Sequence, residues 1–279
     1  MTNRMDTQGT AFVICCYRAM DMALSGDCYA HMWVTPQARQ WAAGFLEVSA
    51  CEAQAHCLRN RFFLDAVTRF MDDHKDGVFV NIGAGYSLYA HLLPKKRSCD
   101  VDHARVVGPK ARQVALWEAS GQLPQRDVFY LASDLENSAD LLELEDSLRK
   151  WINGAPTFFL IEGVLFFLQE GSVDPLFEMF ARLQKPGDQL GAVSFIPETF
   201  ATPVYQRLLR FLAEHLGEKR TDYLALPVRY YEELAGYRLL TWQDECALSR
   251  KYCPETAFND PLAFLNEHVY MLEKCTEEG

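Results

Sequence analysis

Apolar side chains recur at three- and four-residue spacing through residues 11–75, with few strong breakers, and this period predicts a run of helices. Phe62, Phe63, Val67 and Phe70 form one such stripe. From residue 78 the period changes. Val78-Phe79-Val80-Asn81-Ile82 is a short β-rich run, Gly83-Ala84-Gly85 a tight turn behind it, and Tyr86 to Leu93 a helix. Cys99 to Val101 predicts a second, very short strand, and His103 to Ser120 a helix. Val128 to Ala132 and Thr157 to Ile161 are expected as buried strands, each running into a turn that carries an acid, Ser133-Asp134 and Glu162-Gly163. Asp174-Pro175 marks a helix start, with Ser172 or Asp174 as cap and Pro175 in the first helical position. Leu190 to Phe195 predicts a fifth strand, residues 201–216 a helix, and Tyr237 to Trp242 and Glu267 to Leu272 two further strands.

β-rich runs that alternate with helices imply an α/β fold, a doubly wound, mainly parallel sheet covered on both faces. A length of 279 residues suits one large domain of this kind carrying a helical lid. The expected division is an N-terminal helical lid or cap segment over residues 1–75 and a core over 76–279, with a substrate-side insertion around 197–235.

Composition narrows the function. The formal net charge of −11 argues against a broad phosphate-binding surface, so nucleic acid is not the expected partner. Nine cysteines, an odd number without paired C-x-x-C units, argue against a disulfide framework and a zinc cluster. A reduced, cytoplasmic protein without a resident metal is expected. No stretch reaches the roughly 18 apolar residues that a membrane span needs, and the start of the chain lacks a secretory pattern.

The chemistry concentrates behind the first strand. A strand running straight into Gly-x-Gly lets the backbone turn sharply and admits a ligand to the main chain, which is the role expected of Gly83 and Gly85. Residue 88 is Leu, so the third glycine of the dinucleotide fingerprint is missing. Asp102 lies 19 residues after Gly83, at the end of the second strand, where a carboxylate can accept from both ribose hydroxyls. Asp100, two residues earlier, would share its face. The loop and the ribose acid alone fit two cofactors, a nicotinamide dinucleotide and S-adenosylmethionine.

A wider set of segments resembles the leucine carboxyl methyltransferase family, which includes bacterial polyketide-pathway methyltransferases of the tetracenomycin type. The matching pieces are Leu58-Arg59-Asn60-Arg61-Phe62-Phe63, Val80-Asn81-Ile82-Gly83-Ala84-Gly85, Asp100-Val101-Asp102, Ala132-Ser133-Asp134-Leu135, Pro156-Thr157 through Ile161-Glu162-Gly163-Val164-Leu165, and Asn266-Glu267-His268-Val269-Tyr270. The resemblance implies a Rossmann-like methyltransferase core that uses S-adenosylmethionine. Arg59 would bind the methionine carboxylate, Gly83 and Gly85 the methionine part through nearby backbone, and Asp102 the ribose. Asp134 and Leu135 would meet the adenine, and Glu162 the amino group. Arg18 is the nearest counterpart of a basic residue that assists in some relatives. Leu64 stands where the family often has the first acid of a pair, and Tyr86-Ser87 replaces a common Asp-Thr, so substrate contacts differ at positions facing the cleft.

A methyl group on a sulfonium is already activated, so transfer depends on holding a nucleophile in line. A carboxylate acceptor needs no general base, whereas a hydroxyl usually does. None of His31, His56, His74, His91, His103, His215 and His268 stands out by position, and each reads as structural or exposed. This leans toward an O-methyltransferase forming the methyl ester of a small polyketide- or fatty-acid-like carboxylate. A phenol or hydroxyl acceptor, a protein C-terminal carboxylate, a nicotinamide-dependent oxidoreductase and a non-catalytic interaction partner are the alternatives. Tyr205, Arg207 and Arg210 of the insertion are candidates for orienting an anionic acceptor.

Overall fold

The computed structural model describes residues 7–215 and 223–276. Four helices come first: α1 (Thr7–Met20), α2 (Met22–Ser25), α3 (Pro36–Phe45) and α4 (Glu52–Asp73). Strands and helices then alternate: β1 (Val78–Ile82), α5 (Tyr89–Leu92), β2 (Arg97–Asp102), α6 (Ala104–Ala119), β3 (Asp127–Ala132), α7 (Ser138–Ile152), β4 (Thr157–Ile161), α8 (Glu170–Leu183) and β5 (Gln189–Ser194). The chain closes with α9 (Pro203–His215), α10 (Val228–Glu232), β6 (Tyr237–Asp244), α11 (Glu245–Tyr252) and β7 (His268–Lys274). Residues 216–222 of the expected insertion, the last residue of the expected 201–216 helix among them, lie outside the described residues. No helix among the described residues is long and apolar enough to cross a membrane.

The seven strands form one sheet in the order β3-β2-β1-β4-β5-β7-β6. β1 to β5 run parallel, and β7 returns antiparallel between β5 and β6. Strand period decides which core each side chain enters. Phe79, Phe158 and Leu160 join Leu58, Phe63, Val67 and Phe70 of α4 on one face. Val78, Val80, Ile82, Phe159 and Ile161 join Leu144, Leu148, Leu176 and Phe180 of α7 and α8 on the other. Both faces are therefore covered, which is why β1 and β4 read as unbroken apolar runs. Order reverses at β1, with β2 on one side and β4 on the other, and this switch point opens a crevice at the carboxyl ends of the strands.

Three expectations need correction. The helix after the glycine turn is the single turn α5, because Asn81 Nδ2 donates to Ser87 Oγ at 2.9 Å and Ser87 Oγ donates to the Ala84 carbonyl at 2.9 Å, holding the preceding segment as a loop. α8 begins at Glu170, so Pro175 lies inside it, where its missing N–H sacrifices one bond near an exposed end. β3 is an edge strand and not a buried one: Phe129 is 39% exposed and stacks on Trp151 of α7. α7, α10 and α11 were not anticipated by the apolar spacing. The Asn137 side chain caps α7 by accepting from Ala139 N and Asp140 N.

Candidate functional site

A cavity of about 410 Å³ occupies the crevice, within the size range of small-molecule sites. Arg59, Gly83, Gly85, Asp102, Asp134, Leu135 and Glu162 all line it. Seven residues spread from α4 to the end of β4 thus meet around one space, as their order in the chain predicts.

The glycine loop shapes one wall. Gly83 has φ +66°, and a Cβ there would stand 2.0 Å from Val164 Cγ2, so no side chain fits. Gly85 has φ +48° and donates its N–H to Asp102 Oδ2 at 2.8 Å. The other carboxylate oxygen of Asp102 accepts from His103 N at 2.7 Å. Each oxygen keeps a lone pair, so the carboxylate is oriented without being exhausted. Beneath the loop, Asp100 and Lys110 form a fully buried ion pair at 2.7 Å, and Lys110 Nζ also reaches the Ala84 carbonyl at 3.4 Å. Lys110 had no signal of its own in the sequence. Its buried partner Asp100, an acid inside a strand, was the trace it left.

Glu162 extends β4 by one residue, so alternation turns it toward the face that α4 covers. There Arg59 Nε donates to Glu162 Oε1 at 2.8 Å, while Arg59 Nη1 is bound to Glu267 Oε2. Tyr89 Oη donates to Glu162 Oε2 at 2.8 Å. Burial opposes the charge on Arg59, yet Glu267 and Glu162 beside it raise its pKa above the usual guanidinium range and keep it charged. Burial, and less so the nearby Glu162, pushes the Glu267 carboxyl up against the opposing pull of Arg59. Arg59 Nη2 lies 3.4 Å from the place a Cβ on Gly163 would occupy, and both residues line the cavity. Glu267 lines the cavity and was quoted in the sequence only as part of a matching segment. Its signal is an acid immediately ahead of an apolar strand.

Arg18 also lines the cavity, held by Asn60 Oδ1 at 2.9 Å and lying 3.4 Å from Asp27 Oδ2 in poor hydrogen-bond alignment. Behind Arg59, Glu52 accepts from Leu265 N at 3.1 Å, and Glu245 accepts from Glu267 N at 3.2 Å. Burial first, and Glu267 second, push the Glu52 carboxyl up to about 8 and the Glu245 carboxyl well above its usual range. Glu52 is thereby held largely protonated near neutral pH.

Beyond the charged end the wall becomes apolar, with Val13, Phe45, Phe166, Phe195, Leu208 and Leu212. Of the insertion candidates, Tyr205 is buried and Arg207 donates to the Val48 carbonyl at 2.7 Å. Neither these nor Arg210 lines the cavity; α9 presents Leu208 and Leu212 to it instead. His56 does line it, one turn before Arg59 on α4, and was missed as a candidate. The three-residue spacing from Arg59 was its signal.

Two solved structures share this architecture. A protein from Thermobifida fusca YX, provisionally described as a methyltransferase, matches over 93% of this chain and 94% of its own, with TM-score 0.63 and 18% identity. A DUF574 family protein from Streptomyces avermitilis MA-4680 matches over 93% of this chain and 97% of its own, with TM-score 0.62 and 14% identity. At such identities the likeness establishes the fold. No curated protein matches the sequence. The leucine carboxyl methyltransferase family model matches residues 23–181, more than half of the chain and a span that contains all seven expected site residues. The chain belongs to the leucine carboxyl methyltransferase family and is an S-adenosylmethionine-dependent methyltransferase.

Proposed function

We propose that this protein methylates an oxygen of a small, largely apolar molecule, and that the cavity at the β1–β4 switch point is where cofactor and acceptor meet. The observation that carries this reading is the continuity of one space, charged around Arg59, Asp102 and Glu162 and apolar beyond them. The nicotinamide alternative drops out with membership of a methyltransferase family.

The residues fit the cofactor. Arg59 Nη2 offers donors for a carboxylate, and Glu162 with Glu267 offers negative charge for an ammonium group. The spare lone pairs of Asp102 suit two ribose hydroxyls. Asp134, whose Oδ1 accepts from Glu136 N at 3.0 Å, and the buried Leu135 suit an adenine edge and face. Gly83 and Gly85 leave the backbone bare, so a ligand can approach it. When bound, S-adenosylmethionine supplies a methyl group on a positively charged sulfur. The apolar wall excludes water around the acceptor, which strengthens every electrostatic contact within.

Within the expected N-terminal lid segment, residues 1–75, α1 is proposed to cover the cavity, contributing Thr10, Ala11, Val13, Ile14 and Arg18 to the wall. Nine free cysteines, five of them buried, support a reducing compartment. Among acceptors, the family favours a carboxylate. Calorimetric titration tests the shared reading: S-adenosylmethionine is expected to bind and NADH not to. Binding of NADH alone would sink it.

A further inference from the structure

Glu162 lines the cavity, and its two oxygens are held from two different elements. Oε1 accepts from Arg59 Nε of α4 at 2.8 Å, and Oε2 accepts from Tyr89 Oη of α5 at 2.8 Å. Tyr89 is 2% exposed and is not part of the cavity wall, so it meets the carboxylate from the protein side. Its hydroxyl has one proton and two acceptors within reach, Glu162 Oε2 and the Asn60 carbonyl at 3.4 Å; the shorter contact and the negative charge assign the proton to Glu162. An edge contact with Phe79 at 5.9 Å steadies the ring. Burial first, and Glu162 second, hold the phenol well above its ordinary pKa, so it stays a donor.

The chain supplies its own comparison. Glu145 has two arginine partners and no phenol, and Arg182 closes a side-on fork on it, Nε at 3.1 Å from Oε1 and Nη2 at 2.8 Å from Oε2. At Arg59 the same fork is half closed. Glu162 takes Nε, Glu267 takes Nη1, and Nη2 makes no hydrogen bond to any described residue. The oxygen of Glu162 that would complete the fork is the one bound to Tyr89. A closed fork would spend the remaining donor of Arg59 and the carboxylate of Glu162 on each other.

We propose that Tyr89 is a positioning residue whose hydroxyl holds the Glu162–Arg59 pair half open, leaving Glu162 available to an ammonium group and Arg59 to a carboxylate. The inference rests on these two residues receiving the amino-acid end of S-adenosylmethionine. Tyr89 begins α5, directly behind the loop that Asn81 and Ser87 brace, so the phenol also ties the glycine-loop side of the cleft to the end of β4.

Tyr89→Phe keeps the ring and removes only the hydroxyl. Calorimetry compares S-adenosylhomocysteine, which carries the amino-acid end, with 5′-methylthioadenosine, which lacks it. S-adenosylhomocysteine is expected to bind Tyr89→Phe about tenfold more weakly than the parent, and 5′-methylthioadenosine within about twofold. Added to Glu162→Gln, Tyr89→Phe is expected to weaken S-adenosylhomocysteine by less than about twofold, because the group it positions is already altered. Equal weakening of both ligands, no weakening of either, or the full loss in the Glu162→Gln background overturns the proposal and leaves the cofactor site standing. A parent protein that binds the two ligands equally well, or neither, overturns the reading of Arg59 and Glu162 together with the proposal. Should Tyr89→Phe not fold, the parent still reports: the buried phenolic proton of Tyr89 is expected to shift in the NMR spectrum with S-adenosylhomocysteine and not with 5′-methylthioadenosine, and the same response to both is the contrary result.

Discussion

Lys110 Nζ lies 2.7 Å from Asp100 Oδ2, and with both side chains buried the glycine loop rests on a dry ion pair that joins α6 to β2. Such a pair contributes little net stability, but breaking it on one side strands a charge. Lys110→Met is expected to destabilise the protein by about 3–5 kcal/mol, because Asp100 is left without its counter-ion. Lys110→Met combined with Asp100→Ala is expected to recover at least about 1 kcal/mol of that loss. Urea denaturation of the three variants measures the coupling, and purely additive losses would refute it.

The two loop glycines are expected to respond differently to alanine. At Gly85 an added Cβ meets only Ala11 Cβ, at 3.5 Å, so the cost is the left-handed backbone alone, about 1–2 kcal/mol. At Gly83 the same strain is joined by a collision at 2.0 Å with Val164 Cγ2. Gly83→Ala should therefore lose more stability than Gly85→Ala and should lower S-adenosylmethionine affinity at least about tenfold. Denaturation and calorimetry on the pair decide it, equal losses being the contrary result.

Asp102→Asn tests the ribose role. Its carboxylate accepts from Gly85 N and His103 N, and an amide in its place turns a donor toward one of those N–H groups. Cofactor binding is expected to weaken by about 1–2 kcal/mol, the usual cost of a lost charge-assisted hydrogen bond. Arg59→Ala should weaken it at least as much. Unchanged titration curves for both variants would show that the cofactor sits elsewhere.

Glu52 makes stability depend on pH. Its carboxyl is pushed up to about 8 in the fold, above the ordinary value of 4.5, chiefly by burial and then by Glu267. The folded state therefore binds the proton more tightly than the unfolded chain, and stability falls as pH rises from about 4.5 to about 8. Glu52→Gln keeps an acceptor for Leu265 N and removes the titration. Thermal unfolding of this variant should decline less between pH 5.5 and pH 8.5 than that of the parent, by several degrees.

Much of the fold was legible because its signals are local. Val78–Ile82 and Thr157–Ile161 were bounded to the residue, since strands buried on both faces are unbroken apolar runs ending in turn residues. β3 looked alike in sequence, and only its place at the sheet edge distinguishes it. Pro175 misled because a helix end can absorb one missing bond when the preceding turn is already helical. At the site, the glycine loop, Asp102 and Arg59 announced themselves by order and spacing. Lys110, Glu267 and His56 did not, because each acquires meaning through a partner brought from another element or through the way a ring is turned. Arg207, one of three candidates in the insertion, lies off the cavity for a related reason: its Nε donates to the Val48 carbonyl, which no local pattern records.

Glu267 stands just ahead of the last strand, 208 residues from the guanidinium it holds. During synthesis, a nascent chain can complete α4, the glycine loop and β4 long before β7 leaves the ribosome. Until then Arg59 has one carboxylate partner and the pocket lacks a wall. The charged end of the cavity is thus a long-range construction, complete only when β7 has joined the sheet beside β5.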